Sequence, residues 1–396
     1  MEQSIRFQEA FILPPLLITP PKPLHHNHER RGVHATPFCM LRKSFVLSIL
    51  LIASYCHAQE QLYYQVRADV YSEPLSIKSF TDDWSDPNFK SGKNAFAHGL
   101  MQLGVRKDAW DFSWIWRYDY VLRFSKDTAK LYYQIKNEKL IDGNTQYDLQ
   151  LEAQHVDTVG SRFAYTWQVA PNWSLTTGAT ALIGRHYVDG QVNALAQTTD
   201  QAQLMDRVKW LNGQIDYSYD QPALKEDKMG WKEQANKGYG FALDASIAGT
   251  IANNFKVHIN IQDALAYLYW QDAPYTRYKI NYDQDMRPRF DIQGKFNTYK
   301  QYTQRLPYKV YTDMIYQSNQ PWSVGLSSIS NEYMSLWQMN AYWDAVLKWG
   351  VHYEPQTHAV GLSIQHHNFG LKYITDDLNT NQAKRMGAQL FAQHRW

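Results

Sequence analysis

Apolar and polar side chains alternate with a period of two along most of the chain after residue 60. In TQYDLQLEAQH, polar side chains separate Tyr147, Leu149, Leu151 and Ala153. In WDFSWIWRYDYVLRF, apolar residues occupy every second position from Trp110 to Phe124. Successive side chains of a β-strand point to opposite faces. The pattern therefore predicts strands with one face in an apolar environment and the other in water.

The lengths of these runs and of their connections favour a membrane barrel over a soluble sandwich. Several runs reach ten to sixteen residues, whereas a soluble strand has about five or six and a tilted membrane-spanning strand about 9–11. Short connections such as VAPNW, IANNF, SNQPW and EPQTH alternate with long ones near 72–93, 185–203, 221–237 and 271–301. Short turns at one end and long loops at the other are typical of a transmembrane β-barrel.

The aromatic content supports the same architecture. The chain has 28 Tyr, 14 Trp and 16 Phe, which is 15% of its residues, although its mean hydropathy is −0.54. Aromatic residues at strand ends are expected to form the two girdles of a membrane barrel, at the lipid–water interfaces. The residues predicted to do so are Trp110, Tyr165, Trp167, Trp173, Tyr269, Trp270, Trp322, Trp349 and Tyr353.

A secretory signal peptide is predicted over residues 40–58. After Met40 come Arg42 and Lys43, an apolar run from Phe45 to Ile52, and small residues before Ala58, which is the order of a cleavable signal. We expect translation to begin at Met40, with residues 1–39 an artefact of start-site assignment or a disordered extension. A lipoprotein signal using Cys56 is disfavoured because the bulky Tyr55 precedes that cysteine.

The predicted mature chain, residues 59–396, has a nearly balanced charge and no cysteine. Removing residues 1–58 takes away six Lys/Arg and three Asp/Glu, which leaves 34 basic and 35 acidic side chains. A net charge near −1 argues against nucleic-acid binding. Because Cys39 and Cys56 both precede residue 59, no disulfide and no cysteine-ligated metal is expected. The sequence indicates no cofactor.

The final strand carries the clearest resemblance to a known class. In GAQLFAQHRW, Ala388, Leu390, Ala392 and Trp396 share one face, with only Phe391 breaking the apolar–polar alternation. Together with the signal peptide and the alternating strands, this pattern resembles a Gram-negative outer-membrane β-barrel protein. The resemblance implies that these four residues are recognised by the barrel assembly machinery and that outer-membrane lipid surrounds the barrel. His394 departs from the apolar residues usual at its position.

The expected fold is therefore all-β, a closed antiparallel barrel of about 14 strands. Every lipid-facing backbone group must be paired, so the last strand must close onto the first, which we predict to be QLYYQVRADVY at 61–71. Both ends of the chain lie on the periplasmic side in such a barrel, so the strand number is even, within a range of 12 to 16. The segments 130–137, 185–203 and 333–343 are possible further strands.

The primary functional hypothesis is a porin-like passive channel for small polar solutes. A barrel of this size has a lumen wider than lining side chains alone would fill, so we expect a water-filled lumen or an internal plug. The predicted inward faces carry both signs of charge, so no long-range ion selectivity is indicated. The predicted pore-lining residues are Arg67, Asp69, Asp111, Arg117, Asp119, Arg123, Asp148, Glu152, Lys256, His258, Lys309 and Asp313, with Lys348 and His352 on the same faces.

Two alternatives remain open at the level of sequence. The first is a barrel for polysaccharide export or glycan binding, because aromatic side chains such as those of YWQDAPYTRYKINY at 269–282 suit stacking on sugar rings. The second is an outer-membrane lipid hydrolase using Ser363, His366, His367 and Asn368. Ser363 and His366 are three residues apart and would point to opposite faces of a regular strand, and no GxSxG motif occurs. A pairing of Asp263 with His258 is a weaker candidate site.

Overall fold

The computed structural model describes residues 60–200, 207–222, 230–285 and 290–396. The predicted extension at 1–39 and signal peptide at 40–58 lie outside these ranges. No helix in the described ranges is long and apolar enough to cross a membrane. The strands assigned there are β1 (Glu60–Ser72), β2 (Asn94–Lys107), β3 (Trp110–Phe124), β4 (Gln146–Ala170), β5 (Trp173–Thr198), β6 (Val208–Tyr219), β7 (Gly238–Ile251), β8 (Phe255–Asp283), β9 (Phe290–Arg305), β10 (Lys309–Gln317), β11 (Trp322–Asn331), β12 (Ser335–Asp344), β13 (Lys348–Glu354), β14 (Ala359–Gln365), β15 (Phe369–Thr375) and β16 (Arg385–Arg395); the helices are α1 (Ile77–Thr81) and α2 (Lys126–Lys136).

Fourteen of the described strands close into an antiparallel barrel, as predicted. Around the wall the order is β1 to β5, then β7, β8 and β10 to β16. The last strand closes onto the first, in register from Gln61 opposite Arg395 to Tyr71 opposite Arg385. This closure pairs the backbone groups that an open sheet would leave exposed at its two edges.

Two further strands, β6 and β9, extend the wall beyond one end of the barrel. Strands β4, β5 and β8 are 25, 26 and 29 residues long, and the distal parts of β5 and β8 pair with β6, while β9 pairs with β8. The prediction of long loops at 185–203 and 271–301 is therefore wrong for most of their length. In β8 the charged and amide side chains of Arg277, Lys279 and Asn281 alternate with Tyr278, Ile280 and Tyr282, an alternation that extends the strand past the apolar belt.

The outer wall carries a belt of exposed apolar side chains. On β13, Trp349, Val351 and Tyr353 are exposed, whereas the alternating residues Gly350, His352 and Glu354 are buried. The short β2–β3, β4–β5, β7–β8, β10–β11, β12–β13 and β14–β15 turns all lie at one end of the barrel. We assign this end to the periplasm and the extended end to the cell exterior, because outer-membrane barrels have short periplasmic turns.

The outer face of the extension is covered by protein. Tyr147 and Leu149 on β4 pack with Leu131 of α2 in one buried apolar cluster. The apolar face of β4 is therefore only partly lipid-facing, because Tyr147 is only 1% exposed. The segment 130–137, a possible strand from its sequence, is largely helical. Helix α2 begins after Ser125, whose hydroxyl accepts a hydrogen bond from the Thr128 amide at 3.0 Å.

Trp270 does not belong to the outer aromatic girdle. It is fully buried in an apolar cluster with Leu182 and Leu268, and its indole nitrogen donates a hydrogen bond to Gln304 Oε1 at 3.2 Å. A Cβ at Gly184 would lie 2.5 Å from the Trp270 ring, so glycine leaves the space that the indole occupies. The cluster also contains Ile115, which lies on the face of β3 opposite Trp114. Trp270 therefore fills interior space.

The closing strand has the predicted face pattern. Ala388, Leu390 and Ala392 are exposed on the outside of the barrel, and Trp396 is exposed just beyond the strand. Phe391, the residue that breaks the alternation, lies on the opposite face, where it fills the space left by Gly370; a Cβ there would lie 2.1 Å from the Phe391 ring. Recognition of this strand by the assembly machinery stays a prediction.

Candidate functional site

Five buried ionisable side chains meet inside the barrel and form what we call the ion-pair layer: His98, Arg117, Asp119, Asp263 and Lys309. Arg117 donates hydrogen bonds to Asp263 Oδ1 at 2.8 Å and to Asp119 Oδ2 at 3.1 Å. The Lys309 ammonium lies 3.0 Å from Asp119 Oδ1 and 3.1 Å from Asp263 Oδ2. His98 Nδ1 lies 3.0 Å from Asp119 Oδ1. Each side chain therefore has an oppositely charged or hydrogen-bonding partner.

The ion-pair layer crosses the lumen. His98, Arg117 and Asp119 belong to β2 and β3, whereas Asp263 and Lys309 belong to β8 and β10, and strands β4, β5 and β7 separate the two groups along the wall. All five side chains are at most 6% exposed. Two permanent cations face two carboxylates, so the layer is compensated in charge, as buried ions require. At this level the lumen contains packed side chains.

Asp263 reaches the layer through an irregularity in β8. Its backbone has φ of 60°, a left-handed conformation that aspartate tolerates better than most residues. The register between β7 and β8 shifts at the same place, between Leu243 and Ala245, as a β-bulge does. Asp263 therefore pairs with Arg117 and Lys309, and His258, the partner considered from sequence, lies 3.9 Å from Asp313 instead.

A second buried ion cluster links β1 and β16, the two strands that meet at the closing seam of the barrel, to β13. Arg385 on β16 donates to Asp69 Oδ1 on β1 at 2.9 Å and to Glu354 Oε1 on β13 at 3.0 Å. The three side chains are at most 3% exposed. This arrangement, which we call the seam cluster, ties together the two strands that close the barrel.

The remaining predicted pore-lining residues occupy three other positions. Arg67 lies over the Tyr311 ring at 4.2 Å. Asp111 accepts hydrogen bonds from Tyr63 at 2.8 Å and from Arg106, near the periplasmic end. Residues that are at least partly exposed, at one end of the barrel or the other, are Arg123, Asp148, Glu152, Lys256, His258, Asp313 and Lys348. The twelve residues proposed from sequence therefore belong to several distinct environments.

An open cleft of about 370 Å³ lies at the extracellular end, and we call it the vestibule. Tyrosine rings stack along its wall, with centroid separations of 4.2 Å for Tyr275–Tyr299 and 5.7 Å for Tyr299–Tyr302. Burial raises the pKa of Asp189, a carboxyl group that bonds to Tyr302 and Gln154. The vestibule is lined by Glu152, Gln154, Asp189, Gly190, Gln191, Asp216, Tyr217, Ser218, Tyr299, Tyr302 and Tyr333.

A second, larger cleft of about 620 Å³ lies further out on the extension. Its lining is mostly polar and includes Asp148, Asn193, Asn212 and Lys279. Because Asp148 and Glu152 alternate with Tyr147, Leu149 and Leu151 on β4, the polar face of the extension is the one away from α2. A solute arriving from outside meets this hydrophilic surface before the ion-pair layer.

The candidate hydrolase stretch is divided between a strand and a turn. Ser363 lies on β14, whereas His366, His367 and Asn368 form the turn to β15. Ser363 bonds to His352 on β13, with 2.8 Å between Oγ and Nε2. The proposed combination of Ser363 with His366 is not supported by any contact in the described chain. No group of three side chains arranged for a metal ion occurs among the described residues.

Comparisons with known proteins give only distant structural likenesses. No family model and no curated protein matches the sequence. Among solved structures, the chain is similar to the Ralstonia pickettii toluene transporter TbuX, with 9% identity, 86% of this chain and 90% of that chain covered, and a TM-score of 0.38. It is also similar to the Pseudomonas putida toluene transporter TodX, with 8% identity, coverages of 86% and 89%, and a TM-score of 0.34. A third similar structure is that of a Pseudomonas aeruginosa FadL homologue, with 9% identity, 86% of this chain and 91% of that chain covered, and a TM-score of 0.32.

Likenesses at these identities and TM-scores carry no conclusion about substrate. The cellular location follows instead from the fold and the outer surface of the protein. The described chain closes into an antiparallel barrel, and its outer wall exposes apolar side chains such as Phe112, Met339 and Leu362 at 57–67% of their surface. A soluble protein rarely exposes a continuous apolar belt of this kind, whereas a transmembrane barrel requires one. The protein is an outer-membrane β-barrel.

Proposed function

We propose that the protein is an outer-membrane channel for small polar solutes that is closed at rest and opens by rearranging the ion-pair layer. The observation that carries this proposal is the position of five buried, mutually paired side chains across the lumen, beneath an open extracellular vestibule. Solvated passage at this level requires the ion pairs to separate or shift. Such a channel differs from a general porin, whose lumen is permanently wet.

The vestibule supplies the solute-binding site in this proposal. Its volume of about 370 Å³ falls within the range of ordinary ligand pockets. Stacked tyrosine rings offer flat apolar faces, and Glu152, Asp189 and Asp216 offer hydrogen-bond acceptors. We therefore propose solutes rich in hydroxyl and amino donors, of which a monosaccharide or an amino sugar is the simplest example.

Polymer export fits the lumen less well than small-solute passage. A polysaccharide chain threading the barrel would need a continuous passage through the level of Arg117, Asp263 and Lys309, which are all at most 3% exposed. Opening for a small solute requires only a local separation of these groups. The vestibule tyrosines remain compatible with sugar binding in both cases.

Uptake into proteoliposomes tests the proposal. We expect folded protein to give slow, saturable uptake of radiolabelled glucosamine, with weaker uptake of gluconate, because the three vestibule carboxylates outnumber the two arginines that pair with them, Arg123 with Glu152 and Arg277 with Asp216. The double variant Glu152→Gln with Asp189→Asn should raise the half-saturation concentration for glucosamine by on the order of tenfold, as loss of charge-assisted hydrogen bonds does.

The matched control is Asp148→Asn, which changes a carboxylate in the outer cleft and not in the vestibule. Uptake with this variant should equal that of the unmodified protein. Non-saturable permeation of every solute below one size would contradict a closed channel with a binding site, and an absence of uptake in protein shown to be folded would contradict transport altogether.

A further inference from the structure

Three side chains on adjacent strands form a hydrogen-bonded serine–histidine–asparagine series inside the barrel. Ser363 on β14 lies 2.8 Å from His352 Nε2, and His352 Nδ1 on β13 lies 2.7 Å from Asn340 Oδ1 on β12. The residues on either side of them, including Val351 and Leu362, are exposed on the outer wall, so the series faces the lumen. His352 is 2% exposed and Asn340 5%, whereas Ser363 is partly accessible.

The hydrogen bonds around His352 favour one of its two neutral tautomers. The Asn340 amide nitrogen donates to Ser327 Oγ at 2.5 Å, so the Asn340 oxygen faces His352. The amide nitrogen of Gln338 also donates to that oxygen and lies 3.1 Å from His352 Nδ1. Because the Asn340 oxygen is the closer neighbour of Nδ1, at 2.7 Å, and can only accept, we assign the proton to Nδ1, which leaves the lone pair on Nε2 to accept the Ser363 hydroxyl. A histidine in this tautomer is prepared to remove the serine proton.

The surroundings of Ser363 position its hydroxyl and supply positive charge for a reacting group. Gly350 lies directly opposite Ser363 in the ladder, and the Ser363 oxygen occupies the space that a Cβ there would need, at 2.3 Å from it. On the other side, Lys372 of β15 is in register with Ser363 and therefore on the same face of the sheet. A nearby ammonium group stabilises the negative charge that develops on a carbonyl oxygen during attack.

We propose that Ser363, His352 and Asn340 form a hydrolytic site for small, water-soluble carboxylic esters. Ser363 lies two residues from Gln365, the periplasmic end of β14, so the ester approaches through the periplasmic half of the lumen. Membrane lipids are excluded as substrates, because the side chains that face lipid on β14 are those of Leu362 and its outward neighbours. This assignment does not depend on the channel function.

The reaction is a two-step acyl transfer to water. Ser363 Oγ attacks the ester carbonyl while His352 Nε2 takes its proton, and the alcohol leaves with that proton as the acyl–serine bond forms. Water, deprotonated by His352, then attacks the acyl group, which departs as the carboxylic acid and restores the serine hydroxyl. Lys372 faces the developing oxyanion. Asn340 is a positioning residue, because it acts through His352.

A fluorophosphonate probe tests the site in the intact folded barrel without any substitution. We expect a covalent adduct at Ser363, identified by mass spectrometry of peptides from the labelled protein, and hydrolysis of p-nitrophenyl acetate by the same preparation. Ser363→Ala should abolish both, and His352→Gln should reduce hydrolysis by about 10²–10⁴-fold, the usual contribution of a general base. Ser330→Ala on β11 is the matched serine control and should leave both unchanged.

The test of Asn340 must distinguish orientation of the His352 ring from a purely structural packing role of the asparagine side chain. Asn340→Ala should lower kcat for the ester with little change in KM, and Asn340→Asp should restore kcat because a carboxylate oxygen can accept the same Nδ1–H bond. Failure of the probe to modify Ser363 in protein that migrates as a folded barrel would overturn the proposal. Labelling that is unaffected by His352→Gln would overturn the role given to His352.

Discussion

Replacement of Asp263 with alanine is expected to open the barrel to ions. The variant leaves Arg117 and Lys309 facing Asp119 as their single carboxylate in the layer. An excess buried positive charge is costly, and removing one partner of a buried ion pair typically destabilises a protein by about 3–5 kcal/mol. The layer should relieve this cost by admitting water and anions. In planar bilayers we expect conductance to rise on the order of tenfold, with a preference for anions over cations.

Asp313→Ala provides the matched control for Asp263→Ala. Asp313 also faces the lumen, but its side chain is 47% exposed and its ion pair with His258 is long, at 3.9 Å. Removing it should change conductance by less than about twofold, because an exposed pair of this kind contributes little. Equal conductance of the two variants would show that the ion-pair layer does not control passage.

Arg385→Met is expected to destabilise the barrel strongly. The substitution keeps much of the side-chain volume but leaves Asp69 and Glu354 buried without their common cation. We expect a loss of about 3–5 kcal/mol, concentrated at the β1–β16 seam. Urea titration with gel mobility as the readout of folded barrel should show a clear shift of the unfolding midpoint to lower denaturant.

The adjacent substitution Lys384→Met tests whether this loss is specific to the seam cluster. Lys384 precedes β16 and donates to the Pro74 carbonyl at 3.1 Å and the Asn88 carbonyl at 3.2 Å, in a partly exposed position. Its replacement should cost less than about 1.5 kcal/mol. A midpoint for Arg385→Met that matches Lys384→Met would contradict the structural role assigned to Arg385.

The closed barrel could be predicted because it follows from local alternation. A two-residue period assigns each side chain to one of two faces, and the last strand could be paired with the first because membrane barrels have no free edge. The alternation does not show whether an apolar strand face contacts lipid, another segment of the protein or the barrel interior. Tyr147 and Trp270 are both apolar positions in strands, yet one packs in the cluster that contains Leu131 of α2 and the other fills the interior.

The partners inside the lumen could not be predicted for a different reason. The alternation predicts that Arg117, Asp119 and Lys309 face inward, but their contact with Asp263 depends on strand stagger and on a bulge at a residue with positive φ. Sequence spacing specifies neither. Sequence proximity suggests His366 as the partner of Ser363, whereas its actual partner, His352, lies on the preceding strand. The sequence signal that could have identified this pair is the inward position of Ser363 on β14 and of His352 on the neighbouring strand β13.

The most direct test of a closed resting channel is the conductance of the unmodified protein in planar bilayers. Protein comprising residues 59–396 should first be shown to fold by heat-modifiable gel mobility. We predict an electrically quiet barrel with rare, brief openings, because the ion pairs of Arg117, Asp263 and Lys309 occupy the lumen. Steady openings on the nanosiemens scale would contradict the account and indicate a permanently open pore.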